Sequence, residues 1–508
     1  MNLLLFTIRT LPFLLCVAHL ALNLNASAKP LKKSTYRIDG LSAPQVQANP
    51  IAKQLLVQLL SLRLDLEARS KKVTLQQAIE AALLNNPNLA VDYAQIQNRE
   101  WNLIAIRRQW YPTMSADSSN IPSQKFRTTK SSGVDVIRTK GKRNLTEASA
   151  TTSRGMSVNL EWTFFNPSLS PTINSASESL RQQQLLFDVS VRNLVLSVQQ
   201  NYFVLQEYQE LINAYDEIQL ITDQQVKLTE AQFNSGLLSL ADVNQIRTQQ
   251  YRSLSNLINT YRNLLDAAAQ LARDMAMQPG ILVLNSDPLS VTGSWSQPLP
   301  ETIAQALQLR EEIKASLAGA NAASWTARSL FNSYLPKFTL AANGRTNFEE
   351  TSLKLNTNTV ENLDGGISLG FKWQFFDGGI AAANAKVNQA TANQFLQTAA
   401  TNRLTVINEV EKAYGTYITS KLAFLSSKAQ VLAARQAVIA VKNRYKVGVT
   451  DMATVVQTLI QANDAANAYA TATRTYNVSV ASLYRYSALW PEGTEETLQQ
   501  RTTNLRQQ

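Results

Sequence analysis

Cysteine and histidine are almost missing from this 508-residue sequence: there is one of each, Cys16 and His19. Both fall in residues 1–28, which read as a secretory signal. Arg9 sits in the n-region, an apolar run covers residues 11–22, and the small-residue site Ala26-Ser27-Ala28 precedes Lys29. The run is shorter than the ~20 residues of a spanning helix, and Leu15 is too bulky ahead of Cys16 for a lipoprotein acceptor. Without this segment the chain has neither residue. That excludes disulfides, Cys/His zinc sites, cysteine nucleophiles, Ser-His-Asp triads and haem ligation through His.

Glycine and proline are also scarce, at 17 and 15 residues. Glycine is therefore about 3% of the chain against a usual ~7%. Little punctuation implies long uninterrupted elements. Charged residues are 17%, below the usual ~25%, while 45% is hydrophobic, enough for a large core. After the signal no apolar run reaches the ~18 residues of a membrane helix. The formal charge is +11, but the basic residues are not clustered on aromatic motifs, so no nucleic-acid partner is expected. Neither a Gly-rich phosphate loop nor a metal-ligand constellation is present, and no cofactor is expected. Only an enzyme built on paired carboxylates or Ser-Lys would survive these absences.

What is there is said twice. Leu160-Glu161-Trp162-Thr163-Phe164-Phe165-Asn166 returns as Phe371-Lys372-Trp373-Gln374-Phe375-Phe376-Asp377. Phe233-Asn234-Ser235-Gly236-Leu237 returns as Tyr445-Lys446-Val447-Gly448-Val449, and Tyr111-Pro112 as Leu335-Pro336. Three matches in one order indicate duplication. Each copy reads as helix, strand, loop, strand, very long helix, Gly turn and helix. Residues 171–234 and 380–446 give helices of about 96 and 100 Å at 1.5 Å per residue. Val191, Val198, Leu205 and Ile212 recur every seven residues beside Phe187, Leu194, Tyr208 and Tyr215, with Asn201 the single polar member of that second series. After the turn, Val243, Gln250, Leu257, Leu264 and Leu271 keep the step, so each Gly turn joins two coiled-coil helices.

Residues 158–164 and 367–375 alternate apolar with polar, and weaker strands follow Tyr111 and begin at Phe338. Aromatic-rich alternation is how a membrane β-barrel strand reads, with Trp162, Phe164, Trp373 and Phe375 toward lipid and Asn159, Glu161, Lys372 and Gln374 toward the lumen. An ordinary half-buried sheet reads the same way. Four strands cannot close, since small barrels need about eight, so a spanning sheet requires several chains; three would give twelve strands. Glu161 and Lys372 hold equivalent positions in the two copies, so opposite charges are expected to alternate around a ring. Residues 118–153 and 347–364 read as a basic and an acidic loop.

In the strand ends, the Asp377-Gly378-Gly379 sequence and the two hairpin turns, nearly the whole span from Val73 to Trp490 resembles the TolC-type outer-membrane factor family. The resemblance implies an α+β membrane protein, a homotrimer whose long helical hairpins form an α-barrel and whose four strands per chain form a 12-stranded trans-protomer β-barrel. It implies an exit duct in the outer membrane, with a large periplasmic part, for tripartite efflux or type I secretion. The duct would dock on a periplasmic adaptor (membrane fusion) protein and an inner-membrane RND or ABC transporter, and would not be an enzyme. A soluble periplasmic coiled-coil scaffold is the rival reading.

The chain itself reads as residues 29–72 an N-terminal extension, 73–280 the first repeat, 281–300 a linker, 301–490 the second repeat, and 491–508 a polar tail. The resemblance implies adaptor docking at Gly236, Leu237, Gly448 and Val449. Where family members carry two acidic constriction residues, this sequence has Thr454 and Gln457, leaving Asp451 for a single acidic ring or, as the favoured reading, for a helix N-cap.

Overall fold

The computed structural model describes residues 50–134, 142–353 and 356–490. The signal with Cys16 and His19, the start of the extension, the middle of the basic loop and the 491–508 tail lie outside the described residues.

Scarce glycine and proline are realised as two very long helices, α4 (Leu169–Asn234, 66 residues) and α8 (Ile380–Lys446, 67 residues). Each is about 100 Å long. Pro171 falls in the first turn of α4, where its missing N–H costs little. Val191, Val198, Leu205 and Ile212 are all buried along α4, and Val243, Leu257, Leu264 and Leu271 along its hairpin partner α5 (Leu240–Asp274). The seven-residue step thus buries one seam. Helix α8 pairs in the same way with α9 (Met452–Ser487).

Before the strands, α3 (Pro87–Arg108) packs on α4, and α7 (Glu311–Asn332) packs between α4 and α8. Helix α7 comes close because its contact faces are Ala315, Ala318, Gly319, Ala322 and Ala323. A Cβ on Gly319 would lie 2.9 Å from both Gln182 Nε2 and the Phe395 ring, so a larger residue would push those side chains aside.

A smaller layer girdles the helices midway. Strand β1 (Ser70–Val73) pairs in parallel with β4 (Leu282–Asn285); α2 (Leu75–Asn85), capped by a Thr74/Gln77 box, packs on α4, and α6 (Leu299–Leu309) packs on α8. Helix α1 (Pro50–Arg69), in the N-terminal extension, lies against α5, with Arg63 Nη1 3.0 Å from Asp216 Oδ2 of α4. Here α4, α7 and α9 bury an ionic cluster. Arg192 donates to Glu311 at 2.9 Å and to Leu489 O at 3.0 Å, while Arg310 and Arg485 both bond Glu312. Burial alone would raise Glu312, but Arg310 and Arg485 outweigh it and hold the carboxyl down at about 2.

At the far end stands one antiparallel sheet in the order β2 (Thr113–Val134), β3 (Lys142–Phe165), β5 (Lys337–Leu353), β6 (Asn356–Lys372). The stretches expected to be loops are largely strand. Alternation lapses there because both faces are polar, so the pattern loses its contrast while Ser and Thr pairs such as Thr151–Thr351 and Ser123–Ser153 still cross the ladder. Strand β2 bulges twice, around Asn120, and the second bulge takes in Pro122, which has no N–H for the ladder.

Candidate docking tips and channel lining

Both hairpins turn through the same motif. Gly236 (φ 79°) and Gly448 (φ 75°) adopt the left-handed conformation that lets the backbone double back. Gly236 N–H donates to Phe233 O and Leu237 N–H to Gln232 O; Gly448 N–H donates to Tyr445 O and Val449 N–H to Arg444 O. These are the paired bonds of a Schellman C-cap. Leu237, Val447 and Val449 project into solvent at the two tips, a small apolar surface that no described residue covers.

Three residues past each Gly a new helix is capped by a hydroxyl and a carboxylate with exchanged roles. Ser239 is the N-cap and Asp242 its partner at 2.6 Å; Asp451 is the N-cap and Thr454 its partner at 2.5 Å. The hydroxyl and amide of Thr454 hold the Asp451 carboxyl below the usual carboxylate range. Asp451 is therefore engaged as a cap. Thr454 and Gln457 lie exposed on the same helix face. Nearby, Tyr445 donates to Gln232 at 3.1 Å and Lys442 to Gln224 at 2.7 Å, tying one hairpin to the other just above the turns.

The sheet has two chemically distinct faces. Register places Asn159 beside Asn343 and Gly366, and Glu161 beside Ala341 and Ser368. On this face Asn159 donates to Asp117 at 3.0 Å, and the Thr163 and Thr339 hydroxyls meet at 3.1 Å. The opposite face carries Leu160, Trp162, Leu369 and Ile367, with ring contacts running from Trp162 to Phe164, Phe338 and Phe371. In the single chain Trp162, Ile367 and Leu369 are exposed, while Leu160, Phe338 and Leu340 are half-buried among their sheet neighbours.

The register bears on one expectation and corrects another. Lys372 shares the face of Glu161 but pairs with Lys337, four residues along β5 from the Ala341 level of Glu161. Strands of a barrel tilt and stagger, so residues opposite one another in register differ in height, and a four-residue step across two strands is compatible with one ring. Trp373, Gln374 and Phe375 lie beyond the end of β6, in the connection to α8, where alternation no longer fixes a face.

The sequence gives no sign of one recurring bond, because a backbone carbonyl accepts it. Trp162 Nε1 donates to Trp110 O at 2.9 Å, and Trp373 Nε1 to Tyr334 O at 2.8 Å. Among the described residues no group of His, Cys, Asp and Glu could hold a metal ion, and no helix is long and apolar enough to cross a membrane.

Residues 78–275 and 302–488, more than half of the chain, match the family model described as outer membrane efflux protein. No curated protein matches. Among solved structures, the Campylobacter jejuni CmeC outer membrane channel is 15% identical with a TM-score of 0.68, over 85% of this chain and 89% of that one. The outer-membrane channel OprN is 17% identical with a TM-score of 0.64, over 81% and 89%. The Vibrio cholerae outer membrane protein VceC is 15% identical with a TM-score of 0.62, over 81% and 95%. At such identities these likenesses show the shared fold.

Proposed function

Since this chain belongs to the outer membrane efflux protein family, we propose that three copies assemble in the outer membrane into a passive exit duct that performs no chemistry and uses no cofactor. The duct docks at its periplasmic tips on an adaptor protein and, through it, on an inner-membrane RND or ABC transporter that supplies the energy, for efflux or for type I secretion.

The observation that carries this reading is the sheet: four strands with one apolar, aromatic face and, within the chain, one neighbour each for β2 and β6. An open sheet in lipid leaves its edge N–H and C=O groups without partners, at several kcal/mol each. Pairing β2 of one copy with β6 of the next removes every edge, and three copies give twelve strands. A second observation supports the same assembly. Leu404, Ile418, Leu425, Leu432 and Ile439 form an exposed stripe on α8, the last four at seven-residue steps, which is a coiled-coil seam without a partner in its own chain. The tips, with Leu237 and Val449 presented on rigid Gly turns, suit an apolar contact with the adaptor. Glu161 and Asn159 on the polar face suit a wet lumen. The soluble-scaffold alternative leaves the aromatic face without a purpose.

Light scattering on detergent-extracted protein tests the assembly: a detergent-dependent trimer that conducts in planar bilayers is expected. A monomer stable without detergent would falsify the duct. Leu425→Glu with Leu432→Glu should release monomer from that trimer. Leu237→Asp with Val449→Asp should abolish efflux while conductance stays normal, and unchanged efflux would remove the tips from the docking surface.

A further inference from the structure

We infer that Arg154 is a docking point for the phosphate of an outer-leaflet lipid headgroup, such as the phosphorylated saccharide of lipid A. The inference rests on the barrel reading above and adds a partner on its outer wall.

The argument starts from register. Arg154 lies on β3 with the same parity as Met156, Val158, Leu160 and Trp162, so it projects from the apolar face. Below it every level of that face carries lipophilic side chains. At its own level Arg154 pairs with Phe348, which pairs with Glu361; the next level carries Thr152, Glu350 and Thr359, and beyond it Phe126 stands alone beside Ala150 and Ser352. The continuous apolar band therefore ends at Arg154.

Its height agrees. The helices join the sheet at the Phe165 end, which fixes that end as periplasmic. From the Phe164 ring to Arg154 is ten residues, about 34 Å along the strand and about 26 Å along the membrane normal at a tilt near 40°. The apolar band of a membrane barrel is about 25 Å tall. Arg154 thus stands where acyl chains give way to headgroups.

Its chemistry fits an anion. The guanidinium carbon is held 4.1 Å from the centre of the Phe348 ring, which covers one face of the plane and leaves its N–H edge free. Among the described residues no carboxylate lies within ion-pair distance of it. A planar fork with a free edge is matched by a phosphate's paired oxygens, and the aliphatic stem stays against the apolar band. Glu361, one strand beyond Phe348, is the acidic group at the same level and opposes an anion there. Because β3 is an inner strand of the sheet, pairing between copies leaves Arg154 uncovered.

The test is native mass spectrometry of the intact oligomer with doubly phosphorylated lipid A and with the same lipid dephosphorylated. The parent should retain the phosphorylated lipid about tenfold better, the scale of one charge-assisted contact. Arg154→Gln should erase that preference, Arg154→Lys should keep part of it, and Glu361→Gln should increase it. A parent that does not distinguish the two lipids, an Arg154→Gln oligomer that behaves as the parent, or displacement by millimolar inorganic phosphate alone would each overturn the assignment. Oligomer mass and conductance are measured in parallel. Their loss in the parent counts against the barrel itself, whereas their persistence without a lipid preference counts against Arg154 alone.

Discussion

The indole N–H of Trp373 is bonded to the carbonyl oxygen of Tyr334, 39 residues earlier, at 2.8 Å. In the other repeat the indole of Trp162 reaches back 52 residues to Trp110 O at 2.9 Å. Each bond ties the periplasmic end of one strand to the end of the helix that leads into its neighbour. An indole is suited to this level, with an apolar ring for lipid and one donor for the polar side. Trp373→Phe keeps the ring and loses the bond. It should cost about 0.5–1 kcal/mol, and pairing it with Trp162→Phe should be additive because the two sites share no partner. Thermal unfolding of the detergent-solubilised protein measures this, and a strongly non-additive double mutant would mean the junctions are coupled.

The polar interruption of the α4 seam has a specific partner. Asn201 Nδ2 and Ser197 Oγ both donate to Asp274 Oδ2 at 2.8 Å, and Asp274 is buried at the end of α5. This fixes the hairpin's register at its upper end. Asp274→Ala should destabilise by about 1–3 kcal/mol, since two largely enclosed donors lose their acceptor. Asp274→Asn, which keeps one acceptor oxygen, should lose less; equal losses would show that the charge rather than the acceptor matters.

Acid should weaken the ionic cluster in a defined window. Glu312 titrates at about 2 in the folded chain and near 4.3 when unfolded. A depressed carboxyl stabilises the fold at pH values above its unfolded pKa, and that contribution fades as pH falls from about 4 toward 2. It amounts to about 3 kcal/mol. The apparent Tm should drop steeply across that interval, and Glu312→Gln should flatten the drop while lowering stability at neutral pH, because Arg310 and Arg485 lose their shared acceptor. An unchanged slope in Glu312→Gln would place the acid sensitivity elsewhere.

At the second tip, Asp451 is committed to its cap. Asp451→Asn retains an oxygen for the Thr454 amide and hydroxyl, so helix α9 should begin at the same residue. Conductance and cation preference should match the parent. A marked fall in cation preference would instead restore the acidic-ring reading of this position.

Much of this protein was legible in one dimension. The duplication, the heptad seams, the Gly turns and the bounds of α8 follow from local periodicity and from the scarcity of helix breakers, properties that short-range sterics and burial of one face impose along the chain. The positions of the tips followed as well, because a left-handed turn demands glycine. The outer reaches of the strands were not legible. Where both faces are wet the sequence loses its contrast, and only cross-strand pairing of residues some 200 positions apart, as in Thr151 with Thr351, shows that the ladder continues. Nor could alternation show that β6 ends at Lys372, since Trp373-Gln374-Phe375 keeps the same pattern after the pairing with β5 has stopped. The ionic cluster, the two indole bonds and the exposed edge of Arg154 belong to the tertiary structure alone. Each depends on which distant backbone or side chain arrives within about 3–4 Å, and that is decided by packing rather than by neighbours in sequence.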